Sequence, residues 1–151
     1  MAVVLVRSTL IHDYLDPNSL PPDEHFLRGR LLTATGSVDN AATDSALSKY
    51  KLARVPSHAI LDETTAFQVQ NWGFAQVQIG TQTDPIALLN VLKSAANVQN
   101  PVVFGDAQHG KRLWERLGLA ADPGGSITLY ATALAGATGA GTLKFRISWR
   151  I

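Results

Sequence analysis

At 151 residues the chain fits a single domain, long enough to bury a core without disulfides, and it contains no cysteine. Its 13 Lys and Arg are scattered among 12 Asp and Glu, leaving a net charge of +1; this argues against a phosphate-neutralising surface and against nucleic acid as the main ligand. Charged residues make up only 17% of the chain, against about a quarter in an average domain, which points to a surface resting against protein rather than water.

The apolar run at the start is broken by Arg7. It lacks a basic leader and a cleavage pattern and is too short to span a bilayer, so a soluble, unprocessed protein is expected, suited to a reducing cytoplasm and not bound to a membrane. Residues 1–25 read as an extended arm. Pro17, Pro21 and Pro22 fix φ and remove backbone donors, which excludes a helix or a central strand there. Val4, Val6, Leu10, Ile11, Tyr14 and Leu15 are candidate contact residues along the arm. They need cover in a groove, the chain's own or a neighbour's.

Residues 26–151 read as an antiparallel β-sandwich or jelly-roll-like domain with one or two short helices. An apolar-rich run from Phe26 ends at Gly36, and a polar segment follows over residues 37–45. Tyr50, Leu52, Ala53 and Val55 start an alternating strand that stops at Pro56 and resumes at Ala59, Ile60 and Leu61. Phe67 and Val69 alternate with Gln68 and Gln70, and Ala75, Val77 and Ile79 with Gln76 and Gln78, the period of half-buried strands. Asp84 before Pro85 predicts a helix start, with Ile86, Leu89 and Leu92 at helical spacing. Val102, Val103 and Phe104 read as a short buried strand, and residues 111–117 as two turns of helix closed by Gly118 in the left-handed stop position. Finally, Ile127, Leu129, Ala131 and Ala133 alternate, as do Leu143, Phe145, Ile147, Trp149 and Ile151. With the glycine-rich tip at residues 136–141 between them, they predict an antiparallel hairpin.

Chemistry is hard to find. None of His12, His25, His58 and His109 lies at metal-ligand spacing from another, so neither a metal nor a cofactor is expected. Asp106 and His109 are the one close carboxylate–imidazole pair, and flanking glycines make a turn the simpler reading. Asp62 and Glu63 are adjacent on an extended chain and so point to opposite faces. The glycine-rich tip leads into a strand rather than a helix, unlike a phosphate loop. Trp114 and Trp149 fall in phase with core positions, whereas Trp72, followed by Gly73, is the freest of the tryptophans and the best candidate for a contact. Gln68, Gln70, Gln76 and Gln78 offer an uncharged β face that either lines an interface or is solvated. No catalytic residue is assigned.

Two segments carry a resemblance. Tyr50-Lys51-Leu52-Ala53-Arg54-Val55-Pro56-Ser57-His58-Ala59-Ile60-Leu61 resembles an L-x-R-[VL]-P-x-x-A-x-[IL] strand of small tailed-bacteriophage virion proteins. Gly110-Lys111-Arg112-Leu113-Trp114-Glu115-Arg116-Leu117-Gly118-Leu119 resembles their G-K-x-L-W-E-x-L-G-L segment. With a terminal hairpin from Ile127 to Trp149 the matches cover about half the chain in the family's order. The resemblance implies a capsid decoration (cement) protein: a β-sandwich or jelly roll, a homo-oligomer with a trimer favoured, partnered by the major capsid protein. It would be made in the host bacterial cytoplasm and seated on the phage head. A cement protein needs uncharged complementary surface and multivalent attachment rather than reacting groups. The competing expectations are a carbohydrate- or host-surface-binding sandwich using Trp72 with Asn71 and Gln70, another head or tail component, or an enzyme using Asp106 and His109.

Overall fold

The computed structural model describes residues 30–151. The contact residues expected in the arm, Val4, Val6, Leu10, Ile11, Tyr14 and Leu15, lie outside the described residues. Nine strands and one helical turn follow: β1 (Leu31–Asn40), β2 (Lys49–Pro56), β3 (Ile60–Leu61), β4 (Ala66–Gln68), β5 (Gln76–Gly80), β6 (Leu89–Leu92), β7 (Val98–Gln99), α1 (Leu113–Arg116), β8 (Ser126–Thr132) and β9 (Gly141–Arg150). They form two antiparallel sheets, one ordered β1-β9-β4-β7 with β3 also pairing β9, the other β2-β8-β5-β6. The chain passes from sheet to sheet after β1, β2, β4, β6, β7 and β8. This is the winding of a jelly roll, with β3 as an extra short strand.

The alternating apolar rows meet between the sheets. Phe67, Leu143 and Ile147 from the β1 sheet and Val55, Val77, Ile79 and Leu129 from the β2 sheet are fully buried. Leu113, the inward residue of α1, joins them. Burying such side chains stabilises by roughly 1.5–3 kcal/mol each, which is what closes two half-apolar sheets on each other.

The structure corrects three expectations. The last two strands are not a hairpin: β8 pairs with β2 and β5, whereas β9 pairs with β1, β3 and β4. Their apolar rows face each other across the core instead of lying side by side, and residues 133–140 carry the chain between the sheets. No helix starts at Asp84. Its carbonyl accepts from Thr81 N (2.8 Å) and Ala87 N (3.4 Å), closing a loop, and Leu89–Leu92 extends the ladder on β5. Leu89 and Val91 turn inward, so a short run that suits either period follows the open sheet edge. Val102 is buried, but Val103 and Phe104 are exposed and belong to no strand. β1 runs past Gly36 into the polar segment and ends at Asn40.

The helix before Gly118 is present but shorter than expected, a single turn. Glu115 Oε2 accepts from Arg112 N (2.9 Å) at its start. Its end is a left-handed stop: Gly118 has φ +72° and Leu119 N donates to Trp114 O (3.1 Å).

One end of the sandwich is closed by Asn40, which is 5% exposed. Its Oδ1 accepts from Gly73 N (3.1 Å), and its Nδ2 donates to Gly139 O (2.9 Å) and Ala41 O (3.1 Å). Gly73 and Gly141 are needed here because a Cβ on either would lie 2.2–2.3 Å from neighbouring atoms. Residues 136–141 are therefore a pinned crossing rather than a free tip, with Thr138 N bonded to Gly73 O at 2.8 Å.

Candidate interaction surface

Trp72 is not a surface contact. It is 1% exposed, packed edge-on against Tyr50 (centroids 5.0 Å) and tilted against Phe74 (5.4 Å). Gly73, which makes the position look open in the sequence, instead lets Asn40 and residue 139 approach the backbone. The Asn71 backbone carbonyl takes part in the crossing, accepting from Thr142 N at 2.8 Å, while its side chain is exposed. The glutamines do not share a face either. Gln68 lies in the β1 sheet, and Gln76 and Gln78 in the other; Gln78 is buried and Gln76 Nε2 donates to Asn90 Oδ1 (2.6 Å).

The acidic and imidazole groups meet in an arrangement no linear motif reveals. Asp62, Glu63, Phe104, His109 and Arg150 line a cavity of about 120 Å³ with Ile60 and Leu61. Asp62 is buried, and its Oδ2 takes Arg150 Nε (2.9 Å) and Nη2 (2.8 Å). Its Oδ1 takes Thr64 N (3.0 Å) and Thr64 Oγ1 (2.7 Å). Burial pushes its carboxyl pKa up, but the Thr64 and Arg150 bonds together outweigh burial and hold it below the ordinary value of 3.8. Both oxygens are thus engaged in tying the end of β9 to the β3–β4 turn. Asp106 and His109 do not act on each other through side chains: the Asp106 carboxylate accepts from Gln108 N (3.1 Å), and the His109 ring lies against Phe104 (5.1 Å). Among the described residues no group of three His, Cys, Asp or Glu is placed to hold a metal ion.

What the described residues do present is exposed apolar side chains at both ends of the sandwich. At the end where residues 1–29 join the domain, Phe104 is 78% exposed, and Leu31, Val103 and Ile151 are exposed too. Leu31 pairs with Arg150, which also pairs with Ile60, so the start of β1 and the Phe104 cavity adjoin.

At the opposite end Leu47 is 75% exposed, and Leu134 and Leu92 are exposed. Leu47 N donates to Ala133 O (2.8 Å), fixing the two leucine-bearing loops together. Leu47 has φ +69°, and no other non-glycine residue among those described has a positive φ. A branched side chain in that region costs about 1–2 kcal/mol. Asp44 is the single charged residue in residues 41–48 and 133–140. Its Oδ2 accepts from Ala41 N (3.0 Å) and from the Tyr50 hydroxyl, bonds that lower its pKa. Burial first, and then the bonded Asp44 carboxylate, raise the Tyr50 hydroxyl to about 12. The low charge of this surface is legible in the sequence. The strain at Leu47 is not, because nothing in Ala46-Leu47-Ser48 asks for a left-handed residue.

Comparison with family models, with curated proteins and with solved structures returned no match. The surface itself is therefore the ground for a functional reading.

Proposed function

We propose that this chain is a structural virion protein, a capsid decoration protein that stabilises a tailed-phage head by bridging major capsid subunits. The observation that carries this reading is the end where the arm joins the domain. The described chain starts at this end, with Leu31 opening β1, and Phe104 and Val103 are exposed at the same end; the apolar segment of residues 1–25 precedes it in the sequence. A bridging protein needs an anchor and a tether close together, since each raises the effective concentration of the other. The two virion-protein segments agree with this, and the jelly roll is a fold used by viral capsid and lectin domains alike, so fold alone does not choose between them. The glycan-binding alternative rested on Trp72, which is buried, and loses its ligand platform.

The test is sedimentation of the protein with undecorated shells of its major capsid protein, counting bound copies on a gel. Deleting residues 1–20, or substituting Phe104→Asp, should leave the sandwich folded and lower occupancy at least ten-fold. Undiminished binding by both variants would refute the assignment of this end as the attachment surface.

A further inference from the structure

The outer face of the β1 sheet carries a trough that follows from the ladder itself. Three rows of paired residues cross the sheet there: Thr35, Arg146 and Ala66, then Gly36, Phe145 and Phe67, then Ser37, Lys144 and Gln68. Side chains alternate between faces along each strand, so the middle row turns inward, where Phe67 and Phe145 are buried. The outer two rows stand up as walls roughly 7 Å apart, and the backbone of the middle row is the floor. Val98, paired with Gln68, extends one wall. Side chains as short as Thr35, Ser37 and Ala66 leave the depression open, with a volume of about 440 Å³.

Two of the cations scattered along the sequence face each other across this trough. Lys144 stands on one wall and Arg146 on the other, both exposed. Among the described residues Lys144 has no ion pair or hydrogen bond, and Arg146 bonds only through Nε, to Thr64 O (2.8 Å). No carboxylate lines the trough. Asp39 and Asp62 lie towards the two ends of β9 and are engaged there, Asp39 Oδ1 by Thr142 Oγ1 (2.5 Å) and Asp62 by Arg150 and Thr64. The remaining polar side chains, the hydroxyls of Thr35 and Ser37 and the amide of Gln68, are all able to donate. Two cations and three neutral donors around one hollow make a cradle for an anion.

We infer that this trough binds a sugar phosphate, with the phosphate held between Lys144 and Arg146 and the sugar hydroxyls meeting Thr35, Ser37 and Gln68. A phosphate monoester carries close to two negative charges at neutral pH, which matches two cations with no bonded carboxylate. Its three terminal oxygens can accept from both walls at once. The carboxylates of residues 1–29, Asp13, Asp16, Asp23 and Glu24, each offer one charge and two coplanar oxygens, a poorer match to donors on opposite walls. Nucleic acid is disfavoured because Phe67 and Phe145 are buried and leave no ring to stack a base, and two cations neutralise few phosphates. A lipid headgroup would need apolar surface beside it, and Val98 is the one large apolar side chain exposed along the trough. The inference stands apart from the shell reading and is tested without a shell.

The full chain is titrated by calorimetry with glucose 6-phosphate, mannose 6-phosphate and N-acetylglucosamine 6-phosphate, with inorganic phosphate and the three parent sugars as references. At least one ester should bind about ten-fold or more tightly than inorganic phosphate, because the sugar contacts add to those of the anion. The parent sugars should give no signal. Lys144→Ala and Arg146→Gln should each weaken that ester about ten-fold or more, the usual consequence of losing a charge-assisted bond. Lys51→Ala, on the other sheet, should leave it unchanged. Lys144 holds no described residue in place, so its substitution keeps the fold and the test stands even if Arg146→Gln loosens the turn at Thr64. Amide shifts on binding should centre on Gly36 and Phe145 in the floor. The inference is overturned if no ester binds, if inorganic phosphate binds as tightly as every ester, or if Lys144→Ala and Lys51→Ala behave alike. Binding that emerges only after residues 1–20 are deleted would overturn it too, since the chain's own N-terminal residues would then fill the trough.

Discussion

Asn40→Ala should be among the most damaging single changes to a polar residue in this protein. The amide joins three backbone segments at one end of the sandwich, holding Gly73 N, Gly139 O and Ala41 O. Truncation removes all three bonds. Its heaviest consequence falls on Gly73 N, whose partner is lost in a buried setting that Gly139 and Asn40 themselves crowd. A hydrogen bond contributes about 1 kcal/mol net, and each buried group left unsatisfied costs about 1–3 kcal/mol. Counting Gly73 N as buried and the two carbonyls as partly hydrated, the loss should be about 3 kcal/mol. For a domain of this size that lowers the thermal midpoint by on the order of 10 °C. Urea titration followed by tryptophan fluorescence gives the free energy directly, with Trp72 adjacent in sequence to the lesion. Asn90→Ala is the control: Asn90 is exposed, as is its bond to the half-buried Gln76, and surface changes stay within about 0.5 kcal/mol. If Asn40→Ala and Asn90→Ala unfold at the same urea concentration, the crossing is held by its glycines and loop packing, and the account of Asn40 as its fastener is wrong.

Trp72→Ala should cost about 3–5 kcal/mol, the range for emptying a large ring from a packed core, whereas a surface contact residue would leave the unfolding midpoint almost unmoved. Asp62 gives the fold an acid limit. Its carboxyl is held below 3.8 by Thr64 and Arg150 against the opposing effect of burial, so its contribution is present above the ordinary carboxylate value and is lost as pH falls through the lower folded one. Asp62→Asn should accordingly be less stable than wild type at neutral pH, with the gap narrowing below about pH 4. A gap independent of pH, measured by urea titration at pH 3 and pH 7, would show that the Arg150 pair adds nothing.

The sequence determined which residues face inward along most strands, and little about their partners. Period-two rows such as Val77/Ile79, Ile127/Leu129/Ala131 and Leu143/Phe145/Ile147 turned one edge to the core as alternation requires, and the left-handed stop at Gly118 followed from glycine's freedom. Pairing is set by contacts distant in the chain, and alternation is blind to it. β8 and β9 have the pattern of a hairpin, yet they lie in opposite sheets because each gains more by completing a ladder with earlier strands across the core. Leu89 and Val91 suited a helix or a strand equally until β5 offered an edge. Trp72 was the clearest misreading: a tryptophan before a glycine suggests exposure, but tertiary packing used that glycine to bring Asn40 close and sealed the ring beneath it. The left-handed backbone of the exposed Leu47 is likewise legible only in three dimensions.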